Sequence, residues 1–185
     1  MREFKMLFAL ALSAVLMLII SAVAFAADFG DLEIGEAAPD FTLKDLAEKE
    51  HALSDLEGEV VVIQFGSSTT SAYLEQIKPM NAVVKEYKKK ATFYTIYTAE
   101  QTYDWQAEDY FAKYERAKGL RFQFGVQAGQ RMGAKTLVDD IDEAVYQAYG
   151  SVPAGVFIVD EDGNLAYKAE EIDAAAVEKA LKKLL

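Results

Sequence analysis

EVVVIQFGSSTTSAYLEQIKPMNAVVKEYKKK, Glu59 to Lys90, changes rhythm in a way that decides the fold. Glu59 to Phe65 is a nearly continuous β-branched run, the pattern of a strand covered on both faces. From Ser71 the apolar residues Tyr73, Leu74, Ile77, Met80, Val83, Val84 and Tyr87 recur at helical spacing, and Lys88, Lys89 and Lys90 suit the negative end of a helix dipole. Between the two lies a polar loop, Phe65 to Tyr73, FGSSTTSAY. A strand that hands a short loop to a helix N-terminus is a common way to present a reactive side chain, and here the loop offers only hydroxyls.

Working outward, Ala91 to Thr98 (ATFYTIYT) reads as a second strand. Trp105 to Lys118 reads as a helix closed by Gly119, with a weaker helical stretch from Arg121 to Met132. Lys135 to Asp140 (KTLVDD) is a short buried strand and Asp142 to Gly150 a short helix. Ala154 to Asp160 and Asn164 to Glu170 form two strands joined by the Asp162-Gly163 turn, and Glu171 to Leu185 is an amphipathic closing helix. Upstream, FTLKDL and HALSDL bracket the charged turn AEKE as a short N-terminal hairpin. Strand–helix–strand units predict parallel pairing with right-handed crossovers, and the late hairpin adds antiparallel edges. The expected architecture is a thioredoxin-like α/β sandwich with a central mixed sheet flanked by helices.

Residues 1–26 stand apart. Arg2 and Lys5 precede an uncharged apolar run from Met6, and Ala24-Phe25-Ala26 is a signal-peptidase pattern. The reading is a signal peptide followed by a single domain over 27–185. The alternative is an uncleaved anchor, since the run approaches the about 20 residues that span a bilayer. Either way the domain is expected outside the cytoplasm, periplasmic, extracellular or anchored facing outward, with membrane contact only through residues 1–26.

The net charge is −11, and because the first 26 residues contribute +1, the remainder carries −12. Such a surface repels phosphate backbones, so nucleic acid is not an expected partner. The chain has no cysteine. That excludes thiol peroxidase chemistry, disulfide exchange and thiolate metal sites in this polypeptide.

PDFTLKDL, HALSDLEGEVVVIQF and VPAGVFIVDEDGNLAYK resemble the opening and ending of the thioredoxin-like redoxins. More narrowly, the chain resembles the iodothyronine deiodinases in FGSSTT, in ATFYTIYTAE followed by Trp105, and in DDIDEAVYQAYG with Asp139, Asp142, Tyr149 and Gly150. The resemblance places that family's selenocysteine on Thr70 and its nearby cysteine on Ser68. Its histidine falls in Gln101-Thr102-Tyr103, and its acidic residue is kept as Glu100. On the broader thioredoxin pattern the two thiols fall on Thr70 and Tyr73. The resemblance also implies a cis bond between Val152 and Pro153, facing the loop.

The candidate site is therefore Ser67, Ser68, Thr69 and Thr70 with Val152 and Pro153 as a ligand-binding surface, and Thr70, Ser68, Tyr73 and Glu100 as the positions where chemistry would sit. A threonine nucleophile needs a base, and the one histidine, His51, lies in the predicted hairpin. Serine and threonine at Ser67 to Ser71 also suit the capping of a helix, and a helix N-terminus can hold an anion. Asp139, Asp140, Asp142 and Glu143 read as caps before a metal site, and Asp160-x-Asp162-Gly163-Asn164 as a hairpin turn. Neither a metal nor a cofactor is implied. Aromatics from Tyr94 to Phe124 read mainly as core. The function expected is a non-catalytic domain that binds a small ligand or a protein partner. The alternative is an oxidoreductase acting without a thiol, through Thr70, Ser68, Glu100 or a bound cofactor.

Overall fold

Burial of the β-branched run organises the molecule. The computed structural model describes residues 32–98, 109–127 (backbone only from 120) and 134–185. Strand β3, Val60–Gly66, is buried at every position, as a run apolar on both sides must be. It pairs in parallel with β4, Ala91–Tyr97, through helix α1, Ser71–Tyr87. Strand β4 pairs in parallel with β5, Lys135–Val138, after helix α2, Tyr110–Gln127.

On the other side β3 pairs antiparallel with β6, Val156–Val159, which pairs antiparallel with β7, Leu165–Ala169. The N-terminal hairpin, β1 Thr42–Asp45 and β2 Glu50–Ala52, joins the far edge by pairing antiparallel with β5. The sheet so described runs β2-β1-β5-β4-β3-β6-β7. The mixed sandwich expected from the sequence is the one observed.

Alternation along the strands makes two cores. Val60, Val62, Phe93 and Tyr97 meet α1 and the closing helix α4, Ala174–Leu184. Val61, Ile63, Phe65, Tyr94 and Phe157 meet the N-terminal segment and the short helix α3, Ala144–Ala148. Helix α4 starts where Asp173 Oδ1 accepts from Ala175 N at 2.9 Å and Ala176 N at 3.3 Å, and ends with Lys182 and Lys183.

Two expectations fail in detail. The helix after β4 does not close at Gly119 but continues to Gln127. No side chain would meet a Cβ at Gly119, and an isolated glycine costs a helix only about 1 kcal/mol. The Val152–Pro153 bond is trans, not cis. Val152 O accepts from Gly155 N at 3.0 Å, so Pro153 occupies the second position of a β-turn, where its fixed φ is already suitable. Trp105 lies outside the described residues. Among the described residues no helix is long and apolar enough to cross a membrane.

Candidate functional site

The loop sits at the C-terminal end of β3, where open α/β sheets usually place their sites. Thr98 N donates to Gly66 O at 3.2 Å and Asp139 N to Tyr97 O at 3.2 Å, so the ends of β3, β4 and β5 are stitched side by side beneath it. Phe65 N donates to Gly155 O at 2.9 Å, so the chain enters β6 from the Pro153 turn at the same end of the sheet at which β3 leaves it. The sequence-predicted Ser67–Thr70 and Val152–Pro153 therefore do share one end of the sheet.

The hydroxyls are occupied with one another. Ser67 is fully buried and Thr70 is 7% exposed. Ser67 Oγ lies 2.9 Å from Thr70 Oγ1 and 3.2 Å from Thr69 Oγ1. Thr70 is the N-cap of α1, yet its side chain makes no capping bond, because its hydroxyl has turned to Ser67. That corrects the simple capping reading of Thr70. Ser68 and Thr69 are half-exposed and form the accessible part of the loop.

Tyr73, where the broader redoxin pattern would place a second thiol, is 1% exposed and packs its ring against Gly66. A Cβ on Gly66 would stand 2.2 Å from Tyr73 Cγ and 2.5 and 2.6 Å from the two Cδ atoms. Gly66 has no left-handed φ to explain it; the missing side chain makes room for the ring. The same face holds a buried polar pair, with Gln64 Nε2 donating to Thr95 Oγ1 at 2.7 Å. Among the described residues, Gln64 Oε1 and Tyr73 OH have no hydrogen-bond partner. Burial pushes the Tyr73 phenol well above the ordinary tyrosine range, and the nearby Thr95 hydroxyl opposes this only in part.

On the opposite face an aromatic cluster supports the Pro153 turn. Phe65 lies 5.5 Å from Tyr149 and 5.8 Å from Tyr146 and from Phe157, centroid to centroid. Tyr146 OH donates to Ser151 O at 2.6 Å, and Ser151 N donates to Tyr146 O at 2.9 Å. Gly150 and Ser151 both carry left-handed φ, which turns the chain abruptly into Val152.

Of the acidic residues, Asp139 is fully buried and caps α3 from a distance. Its carboxylate accepts from Asp140 N at 2.9 Å, Val145 N at 3.3 Å and Tyr146 N at 2.7 Å. Burial raises its pKa, with these bonds and the Lys113 charge pulling the other way. Lys113, 2% exposed, donates to Asp140 O at 2.8 Å and forms an ion pair with Glu143. Asp160 Oδ1 accepts from Asp162 N and Asn164 N, which makes that motif the turn it was read to be. Glu100, Gln101, Thr102 and Tyr103 lie outside the described residues.

His51 is no partner for Thr70. Its Nε2 is 2.9 Å from Asp45 Oδ2 and 3.3 Å from Lys135 Nζ, and its ring leans on Tyr94, all around the N-terminal hairpin and its neighbours. Two features were missed from sequence. Lys113 falls on the stripe Tyr110, Tyr114, Ala117, where a cation signals a buried ion pair. The Gly66–Tyr73 contact left no pattern, because it joins a strand end to a helix start.

A sequence model of the AhpC/TSA family matches residues 34–168. The thiol-disulfide oxidoreductase ResA of Bacillus thuringiensis (strain Al Hakam) is 27% identical over 142 residues, 76% of this chain and 72% of that protein. Among solved structures, the pneumococcal exposed lipoprotein thioredoxin Etrx1 from Streptococcus pneumoniae strain TIGR4 superposes with TM-score 0.60 at 20% identity, over 79% of this chain and all of that one. The thioredoxin domain of a thiol-disulfide oxidoreductase from Bacteroides vulgatus gives TM-score 0.59 at 19% identity, over 80% and 98% of the two chains.

Proposed function

Because this chain belongs to the AhpC/TSA family and contains no cysteine, we propose that it is a non-catalytic, thioredoxin-fold binding domain that works outside the cytoplasm. The observation that carries the reading is the buried, closely packed state of Thr70 and Tyr73, where the redoxin resemblance would put the thiols. Tyr73, on which the redoxin resemblance would place the second thiol, packs its buried ring against Gly66, where a side chain would collide with it. The Thr70 hydroxyl, bonded to Ser67 and buried, is not presented to a substrate.

What remains accessible is the rim: Ser68, Thr69, the first turn of α1 and Pro153, with Val152 buried beneath. That rim is the proposed surface for a small polar ligand or a protein partner, using the N–H groups of a helix start rather than a nucleophile. Export is supported by the leader-like residues 1–26 and by the exposed lipoprotein among the similar structures. The narrower kinship with iodothyronine deiodinases rests on FGSSTT and DDIDEAVYQAYG and makes iodide a natural probe. The Thr70 hydroxyl meets the hydroxyl of Ser67, which is not a base, and this favours binding over the thiol-free enzyme reading.

The test has two parts. Purified protein is assayed for disulfide reduction, peroxide reduction and deiodination with no added cofactor, and background rates are expected. Calorimetric titration with phosphate, sulfate and iodide, together with pull-down from an envelope fraction, then compares wild type with Ser68→Ala and Thr70→Val. Robust turnover, or binding identical in all three proteins, overturns the proposal.

A further inference from the structure

At the other end of β3, one seven-residue strand or roughly 20 Å from the loop, the surface opens into a pit of about 220 Å³. Its floor is apolar: Leu53, Leu56, Val61 and Val159. Its rim is acidic: Asp40, Glu57, Glu59, Asp160 and Asp162. The rim comes from three separate segments, the N-terminal hairpin region, the entry to β3 and the β6–β7 turn, so the fold and not local sequence gathers these charges.

Elsewhere carboxylates find cations: Asp45 with His51, Glu143 with Lys113, Glu115 with Lys118, Glu178 with Lys182. Among the described residues none of the five rim carboxylates has such a partner. Asp40 accepts from Phe41 N and Ser54 N, Glu59 from the Thr92 hydroxyl, and Asp160 from its own turn. Lys88, Lys89 and Lys90 line the adjacent cleft beyond Glu59 without reaching ion-pair distance of the rim.

A metal ion does not suit this arrangement, since among the described residues no three acidic groups converge closely enough to hold one. The pit is also smaller than the ~300–1,000 Å³ usual for small-molecule pockets. A hydrocarbon stem with a cation at its tip matches both features, the stem covering the valines and leucines and the charge reaching the rim. We propose that this pit docks a lysine or arginine side chain of a basic partner polypeptide. Flanking basic residues would meet the outer carboxylates, and the chain's strong negative charge would steer such a partner in.

The probe is a fluorescently labelled peptide of alternating lysine and glycine, read by anisotropy on the whole protein. Binding is expected for this peptide and not for its lysine-acetylated form. It is expected to weaken about tenfold in the double variant Glu57→Gln/Asp162→Asn, two exposed positions whose exchange leaves the circular dichroism spectrum unchanged. The charge-matched control Glu75→Gln/Glu86→Gln, on the exposed face of α1, is expected to change it less than twofold. Equal weakening in the control, no binding to wild type, or binding of spermidine without binding of the peptide overturns the proposal.

Discussion

Replacing Gly66 with alanine tests the central packing claim. The new methyl would sit 2.2 Å from Tyr73 Cγ, against the roughly 3.4 Å at which ordinary contact begins, so ring and methyl must separate by about 1.2 Å. Neither side yields easily, because Gly66 is paired to β4 and follows Phe65, which is bonded to Gly155, while Tyr73 is buried in the first turn of α1. The ceiling on the cost is expulsion of the ring. A buried tyrosine covers about 150–200 Å², worth about 4–5 kcal/mol. A shift of α1 that keeps the ring inside costs about 1–3 kcal/mol, as overpacked cores do. The expected loss is about 3 kcal/mol, or a melting temperature lower by about 6–12 °C. Urea unfolding followed by far-UV circular dichroism measures it. Tyr73→Ala alone should cost about 3–5 kcal/mol, and adding Gly66→Ala in that background should cost nothing more. A Gly66→Ala protein within about 0.5 kcal/mol of wild type, or strictly additive losses, would refute the reasoning.

Asp139→Ala leaves the N–H groups of Asp140, Val145 and Tyr146 without their acceptor and should destabilise by about 3 kcal/mol in the same assay; an unchanged midpoint would show that water replaces the carboxylate at no cost. Burial pushes the Asp45 carboxyl up, but its bonds to His51, Ala47 N and Lys49 N outweigh that and leave the pKa below its usual value. The stabilisation is therefore present above about pH 4 and lost as pH falls through the lowered pKa. Asp45→Asn should be less stable than wild type at neutral pH and converge with it in acid, and parallel pH profiles would contradict this. Lys113→Ala removes the cation beside the mostly buried Glu143 and should cost about 3–5 kcal/mol, whereas Lys113→Met with Glu143→Gln should recover much of it. Equal stability of the two variants would mean that the ion pair is not what holds α2 to the segment before α3.

The sheet was legible because its signals are local. The run Val60 to Phe65, the stripe from Tyr73 to Tyr87 and the Asp162-Gly163 turn each fix an element within a few residues, and parallel and antiparallel pairing follow from their order. Local signals misled where two outcomes share one pattern. Gly119 can end a helix or sit inside one, and here α2 runs through it at small cost; the cis Val152–Pro153 bond that the resemblance implied is trans within the Val152–Gly155 turn. The interior of the site was illegible, since Thr70 bonding Ser67 instead of capping α1 depends on side-chain directions that composition does not carry.

By itself, then, the sequence determined the α/β architecture and the absence of thiol chemistry, because strand and helix periodicity and the lack of cysteine are properties of the chain alone. Only the tertiary structure decided that Tyr73 packs its ring against Gly66, and that five carboxylates from three segments ring one apolar pit. Contacts between residues far apart along the chain are set by how the sheet brings its strand ends together, and short-range pattern does not record that geometry.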